Sequence, residues 1–436
     1  MKPAAAIRSV AGLWLVQIVK MVASVAVSVL TIRHLGPQQY GILGVAAACV
    51  TPFTAFCGLP QGPLVVREFA AVGESGAQAV QSTAFGMRLA GGMVQLVLAA
   101  AAVALMGYGR DIQLVALFTS LAYLTGPFTV IGSVLEMDGR FDRVATIDLV
   151  ASLSSIAVRA MLIVLDATLL WFAAAALVDA CVQIGLYVLF NPRPGPIASR
   201  SSFSPQMAVM FLKDGWPLVL TGLAMSVTSR SDVIFISKFL GEQQVGWYLA
   251  AIRMTEVMYY FAGVISSVYF PTLAVRHGND SAGYYRLITN SCGSAFWLGA
   301  LLAHGLTIAA PLVLPVLLGP KFAPTIMVLQ ILAWTIPVAA LGQAFSPSIL
   351  IERATRVPLY CAIFAAFVSV ALNVLLIPWL GLVGAAITSI VAPASGLGFL
   401  HVIYRDPKLL AAMMRAFSPA LLVALVKMGW RHRGLR

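Results

Sequence analysis

The feature that most limits what this chain can fold into is an apolar segment, about as long as a bilayer is thick, that recurs from one end to the other. A hydrocarbon core of about 30 Å is crossed by roughly 20 consecutive apolar residues in a helix. That length picks out twelve segments: 10–32, 41–60, 86–108, 112–135, 146–165, 167–190, 215–237, 246–272, 288–310, 325–348, 357–378 and 381–404. Sixty per cent of the residues are apolar, 10% are charged, and the mean hydropathy is +0.92. Soluble domains carry about 25% charge, so water is the wrong solvent for this chain. In lipid each span must satisfy its own backbone, which at these lengths means a helix. The expected class is an all-α integral membrane protein of about twelve transmembrane helices.

The charges give the orientation. With the N-terminus in the cytoplasm, twenty Lys and Arg residues, Arg88 among them, fall on the inside, against Arg33, Arg110, Lys238 and Lys321 on the outside. The positive-inside rule then places both termini in the cytoplasm. It also accounts for a net charge of +12 without a nucleic-acid partner. Met1 to Val19 begins basic and turns apolar, like a leader, but Lys20 interrupts it and the helical pattern runs on to Ile32, favouring an uncleaved first span.

The longest polar stretch, Asn191-Pro-Arg-Pro-Gly-Pro through Ser201-Ser-Phe-Ser-Pro205, reads as a cytoplasmic linker. The expected domains are a six-helix lobe over 1–190, a linker over 191–214, a second six-helix lobe over 215–404, and a basic tail over 405–436. In that tail 411–428 is expected to be an interfacial helix, with a thirteenth span as the alternative. Leu35-Gly-Pro-Gln-Gln-Tyr-Gly41 after the first span is echoed by Leu240-Gly-Glu-Gln-Gln-Val-Gly246 after the seventh, identical at five of seven positions. Six spans per copy give both lobes the same orientation, so the repeats are parallel.

Several function classes find no support. No P-loop is present, no loop is long enough to hold a soluble catalytic domain, and the five histidines are scattered. Cys49, Cys57, Cys181, Cys292 and Cys361 lie in apolar segments without a C-x-x-C pair and are expected to be small buried hydrophobes. Asp138-Gly-Arg-Phe-Asp142-Arg, the only acidic loop a glycosyltransferase could use, reads as a tight turn. The chain is not expected to be an enzyme.

Charged residues within the spans are costly, about 2.5–3.5 kcal/mol each at a helix centre, and so mark candidate sites. Gln17, Lys20, Ser24, Ser28 and Thr31 form one polar stripe on the first span. Ser152, Ser155, Arg159 and Asp166 do so on the fifth, and Asp179 aligns with Gln183 on the sixth. Lys20 has no acidic neighbour and is favoured as a ligand group. Arg159 with Asp179, and Arg253 with Glu256, are open to a second reading as mutually neutralising pairs. Arg230 and Asp232 point about 160° apart around their helix. Moving the Lys20 stripe by the repeat offset marks Gly222, Met225, Ser229 and Val233, which puts Asp232 nearer a cavity face and turns Arg230 toward a neighbouring helix or a lipid headgroup. The candidate cavity residues are therefore Lys20, Gln17, Ser24, Arg159, Asp179, Arg230, Asp232 and Arg253.

Arg33-His-Leu-Gly-Pro-Gln-Gln-Tyr-Gly41, Arg230-Ser-Asp232, Leu240-Gly, Val245-Gly-Trp-Tyr248, Leu317-Leu-Gly-Pro-Lys-Phe322 and Asn373 through Gly384-Ala-Ala386 together resemble the polysaccharide-transporter branch of the multidrug, oligosaccharidyl-lipid and polysaccharide exporter superfamily. The resemblance implies two six-helix lobes in a V around a central cavity. It also implies movement of undecaprenyl-diphosphate-linked oligosaccharides, such as O-antigen or exopolysaccharide units, across the bacterial inner membrane. Its alternatives are a cation-coupled multidrug exporter of the same fold and a peptidoglycan-precursor flippase. The implied partners are the lipid-linked oligosaccharide, membrane lipids, and the polysaccharide polymerase and chain-length machinery. No cofactor is expected; H⁺ or Na⁺ are the candidate coupling ions, with Asp232 as the candidate group. The family pattern specifies no catalytic residue.

Overall fold

The computed structural model describes residues 3–192, 202–277, 280–351, 356–404 and 407–418; side chains are described from residue 22, with gaps at 74–75, 260–268, 271, 274, 350, 401–402 and 404–410. Among these residues the only regular structure is helical. Fifteen α-helices follow in order: α1 (Pro3–Val50), α2 (Thr54–Cys57), α3 (Gly62–Leu105), α4 (Arg110–Ala122), α5 (Val130–Met137), α6 (Phe141–Val164), α7 (Leu169–Leu189), α8 (Pro205–Leu240), α9 (Glu242–Arg276), α10 (Ser281–Leu318), α11 (Thr325–Leu332), α12 (Thr335–Ile351), α13 (Val357–Leu380), α14 (Leu382–Tyr404) and α15 (Pro407–Ala416).

Each of the twelve expected spans falls largely on helix; the second, 41–60, ends in the non-helical residues 58–60, and the fourth, 112–135, passes through a 3₁₀ segment at Tyr123–Thr129. By length and composition, ten helical stretches among the described residues can cross a membrane. The first, Val22–Gly73, contains parts of two expected spans, because α1 is broken at Gly36 (φ 71°, ψ 174°). The eighth expected span is α9, whose 35 residues would reach about 52 Å at 1.5 Å per residue. Gly241, 205 positions after Gly36, has almost the same backbone (φ 92°, ψ 171°) and separates α8 from α9. A positive φ costs a side-chain-bearing residue strain that glycine escapes. The repeated Leu-Gly is thus a repeated helix break.

The chain packs as two compact units, Met1–Leu223 and Ala224–Arg436. Their boundary lies inside α8 and not in the 191–214 stretch, whose last ten residues are helical from Pro205 on. Proline is suited to a first helical turn. Ser204 Oγ accepts the Met207 N–H at 3.3 Å, and the Ser204 N–H donates to Thr83 Oγ1 at 3.0 Å. Phe211 is then fully buried with Phe69, Val80, Ala84, Val130 and Val134 in the first unit's core. Residues 193–201 of the expected linker lie outside the described residues.

The second unit's core gathers Tyr284, Ile288 and Cys292 of α10 with Ala340 and Phe345 of α12 and Leu400 of α14. Ala412, Met413 and Ala416 of α15 join it, while Met414 points outward. The described part of the expected interfacial helix is therefore docked on protein; the part beyond 418 lies outside the description. Close helix approach replaces apolar burial as the packing device in lipid. At Gly299 an added Cβ would lie 2.8 Å from Pro337 Cα. The outer faces carry Leu105, Val164, Leu312, Phe367 and Trp379, each more than two-thirds exposed from the protein, as lipid-facing side chains should be.

Arg88 corrects the loop assignment. Counted among the inside charges, it is in fact 4% exposed on α3. Its Nε and Nη2 donate to Pro60 O at 3.1 and 2.7 Å, and its Nη1 to Thr129 Oγ1 at 2.5 Å. It pins two breaks in the α-helical run together: the segment between α2 and α3, and the 3₁₀ helix Tyr123–Thr129. Cys181 also departs from expectation, being exposed on α7, and Cys361 is half-buried; Cys49, Cys57 and Cys292 are buried.

Candidate functional site

In the first unit α6 and α7 pack side by side and bring the charges of the fifth and sixth spans together. Arg159 Nη1 lies 2.9 Å from Asp179 Oδ2, and the Ser155 hydroxyl donates to the same oxygen at 3.0 Å. The guanidinium also donates to Ser155 Oγ and, at 3.1 Å, to the Ser155 carbonyl one helical turn back. Asp179 Oδ1 is buried without a partner. Both charged side chains stay partly accessible, 31% for Arg159 and 25% for Asp179. A partly open pair can exchange its mutual contact for a ligand. Asp166 does not belong to this stripe. It lies past the end of α6, 97% exposed, with a positive φ of 50°.

On the first span the backbone of residues 17 and 20 lies on α1, but the side chains of Gln17 and Lys20 lie outside the described residues. Ser24 is half-buried, and Thr31 turns its hydroxyl to Val27 O at 2.8 Å, as an intrahelical partner.

The second unit holds a buried carboxylate. Asp232 of α8, 3% exposed, accepts the Tyr248 hydroxyl of α9 at 2.5 Å and the Ser389 hydroxyl of α14 at 3.2 Å. Its other oxygen accepts the Val233 N–H at 2.7 Å, and Tyr248 and Ser389 are 2.7 Å apart. Three helices thus meet at one carboxylate. The next residue back, Ser231, faces α13, 3.1 Å from both Ser369 Oγ and Asn373 Nδ2. Asn373 is fully buried and its Oδ1 has no partner.

These contacts split the expected cavity face of α8. Asp232 and Val233 are turned into the unit, whereas Met225 (61% exposed) and Ser229 are open. Arg230 is half-buried and makes no hydrogen bond or ion pair among the described residues. Once Asp232 packs onto Tyr248, a residue two positions away must point nearly the opposite way. Arg253 pairs with Glu256 at 2.9 Å along α9, both about one-third exposed, as the neutralising alternative required.

Sequence reasoning missed Tyr248 and Ser389 as partners of Asp232, because nothing in a single chain tells which helix faces α8. The signal available was a buried acid with no basic neighbour at helical spacing. Carboxylates, guanidinium groups and hydroxyls on membrane-spanning helices can bind and release ions and polar headgroups. Among the described residues no group of three or more His, Cys, Asp and Glu side chains could hold a metal ion.

The comparisons with known proteins agree with a transporter fold. The chain is similar to a solved structure of the lipid II flippase MurJ in an inward closed conformation, with a TM-score of 0.76 and 13% identity, covering 95% of this chain and 92% of that one. It is similar to an inward-facing multidrug resistance MATE family transporter of the MOP superfamily, with a TM-score of 0.72 and 18% identity, covering 92% and 96%. A probable multidrug resistance protein NorM from Brucella suis biovar 1 is 28% identical over 102 residues, 23% of this chain and 21% of that protein. The matched segment therefore spans only about a fifth of that relative. The family described as Polysaccharide biosynthesis protein matches residues 14–327. With most of its length so matched, on a fold shared with transporters, the chain belongs to the Polysaccharide biosynthesis protein family.

Proposed function

We propose that this multi-pass membrane protein is a flippase that moves undecaprenyl-diphosphate-linked oligosaccharide units across the bacterial inner membrane for surface polysaccharide synthesis. The observation that carries the reading is the joining of a polysaccharide-biosynthesis family match to a fold held in common with transporters. A diphosphate crossing hydrocarbon needs fixed cations, and sugars need amides and hydroxyls. Arg230, half-buried on α8 without a hydrogen bond or ion pair among the described residues, and the accessible Arg159–Asp179–Ser155 cluster offer such groups, and Lys20, Gln17 and Ser24 supply the same chemistry on α1. Asp232 is the group proposed to couple transport to H⁺ or Na⁺, since a carboxylate surrounded by neutral hydroxyl donors can gain or lose a cation without unpairing a base. Both termini are proposed to be cytoplasmic. The proposed partners are membrane lipids, a polysaccharide polymerase and its chain-length machinery. The reading assigns the chain no catalytic step.

Deleting the gene should abolish the surface polysaccharide and cause lipid-linked intermediate to accumulate inside, with both reversed by the wild-type chain. Unchanged surface polysaccharide and no intermediate would reject the proposal. The 28% identity to the Brucella protein over 102 residues favours a cation-coupled drug exporter as the second reading. Hypersensitivity of the deletion strain to cationic dyes, with normal polysaccharide, would select it.

A further inference from the structure

A cleft of about 420 Å³ opens on the first unit beside the Gly36 break. Its walls are Gln38 and Gln39 just past that break, Asp111 in the first turn of α4, and Thr168 with Leu169 and Leu170 at the start of α7; Ile42 closes its apolar side. We propose that this cleft is a binding site for a neutral sugar ring, at the end of the protein that the Lys and Arg distribution assigns to the outside. It rests on the reading of the chain as a carrier of oligosaccharide-bearing lipid, and adds a place where sugar is met apart from the charges inside the spans.

The lining chemistry points to a sugar. Two amides, a carboxylate and a hydroxyl line the cleft, all four on exposed residues, and among the described residues none of the four side chains makes a hydrogen bond or ion pair. Amides and carboxylates placed together can serve a hydroxyl as donor and acceptor at once. The one fixed charge is negative, which disfavours a phosphate. The volume lies within the roughly 300–1,000 Å³ of small-molecule sites. The walls are braced: His34 Nε2 lies 3.1 Å from Ala167 O in the turn before Thr168, and Gln113 Nε2 donates to Tyr108 O at 2.9 Å behind Asp111.

The second repeat provides an internal control. The offset of 205 residues that relates Gly36 to Gly241 carries Ile42 onto Trp247. There the larger ring reaches across, its Nε1 donating to Lys321 O at 2.8 Å in the turn that follows α10.

The test uses the full-length protein in lipid nanodiscs free of glycoside detergent. Saturation-transfer NMR is read with a panel of neutral methyl pyranosides, and inorganic phosphate is added as competitor. At least one pyranoside should receive saturation from the wild type, and phosphate should not displace it. Gln39→Ala and Asp111→Ala should each weaken that pyranoside roughly tenfold, the loss of one good hydrogen bond. Ile42→Trp should abolish its signal by filling the cleft with a larger ring. Binding unaffected by all three variants, displacement by phosphate, or no signal from any pyranoside would each overturn the site. Polysaccharide export by the same wild-type gene is scored separately in the deletion strain. Export without pyranoside binding sinks the site alone, whereas binding without export sinks the flippase reading alone.

Discussion

Replacing Asp232 by asparagine separates a coupling carboxylate from a structural one. The side chain is 3% exposed and accepts two hydroxyls on one oxygen and the Val233 N–H on the other. An asparagine oxygen can keep the two hydroxyls and forgo only the backbone contact, a loss of about 1.5–3 kcal/mol for a bond to an ionised acceptor. Against this, removing an ionised group from the middle of a span relieves up to about 2.5–3.5 kcal/mol. The two effects nearly cancel, so Asp232→Asn should melt within a few degrees of the wild type. Asp232→Leu instead strips the carboxylate from Tyr248 and Ser389, which keep only each other at 2.7 Å. With the Val233 contact, three hydrogen bonds to a charged acceptor are lost, about 4.5–9 kcal/mol, against the same relief of about 2.5–3.5 kcal/mol, a net cost of about 1 kcal/mol or more. Proteoliposomes loaded with fluorescent lipid-linked oligosaccharide, with H⁺ or Na⁺ gradients imposed in turn, provide the assay. Asp232→Asn should lose gradient-driven uphill transport by about tenfold or more while retaining downhill exchange, a barrier change above about 1.4 kcal/mol. Full uphill transport by this variant would refute the coupling role. A melting loss equal to that of Asp232→Leu would refute the hydrogen-bond accounting.

Other outcomes follow from the same geometry. Lys20→Ala should insert normally yet block polysaccharide export in the deletion strain, with partial activity for Lys20→Arg and least for Lys20→Glu; full export by Lys20→Ala removes this residue from the site. Arg88→Met leaves the buried Pro60 carbonyl without its two donors, so the purified protein should lose about 1–3 kcal/mol of stability, read as an earlier thermal unfolding, and an unchanged profile would contradict the clamp. Reporter fusions after Asn191 and Lys408 should report cytoplasm and those after Arg110 and Lys321 periplasm; a periplasmic signal at Lys408 would overturn the even number of spans. Ser155→Ala removes a donor to Asp179 but leaves the 2.9 Å ion pair, so protein yield should hold, and a collapse in yield would show the hydroxyl to be structurally required.

The sequence alone determined the helices. Length and apolarity set each span, because a backbone in lipid has no partner but itself, and every expected span lies largely on helix. Glycine punctuation was legible for the same reason: Leu35-Gly36 and Leu240-Gly241 could be matched by eye, and both glycines adopt the left-handed φ that a side chain resists. Pairing along one helix, as in Arg253 and Glu256, was legible because helical spacing fixes it. What only the tertiary structure decided is how each helix is rotated and what faces it. Asp232 turned inward because Tyr248 and Ser389 arrive from helices 16 and 157 positions away, and that rotation carried Arg230 to the open side. Arg88 looked like a loop charge until the carbonyl of Pro60 and the hydroxyl of Thr129 were brought to it. Composition and periodicity act along the chain, whereas a buried polar group is satisfied across it, by partners that only packing selects.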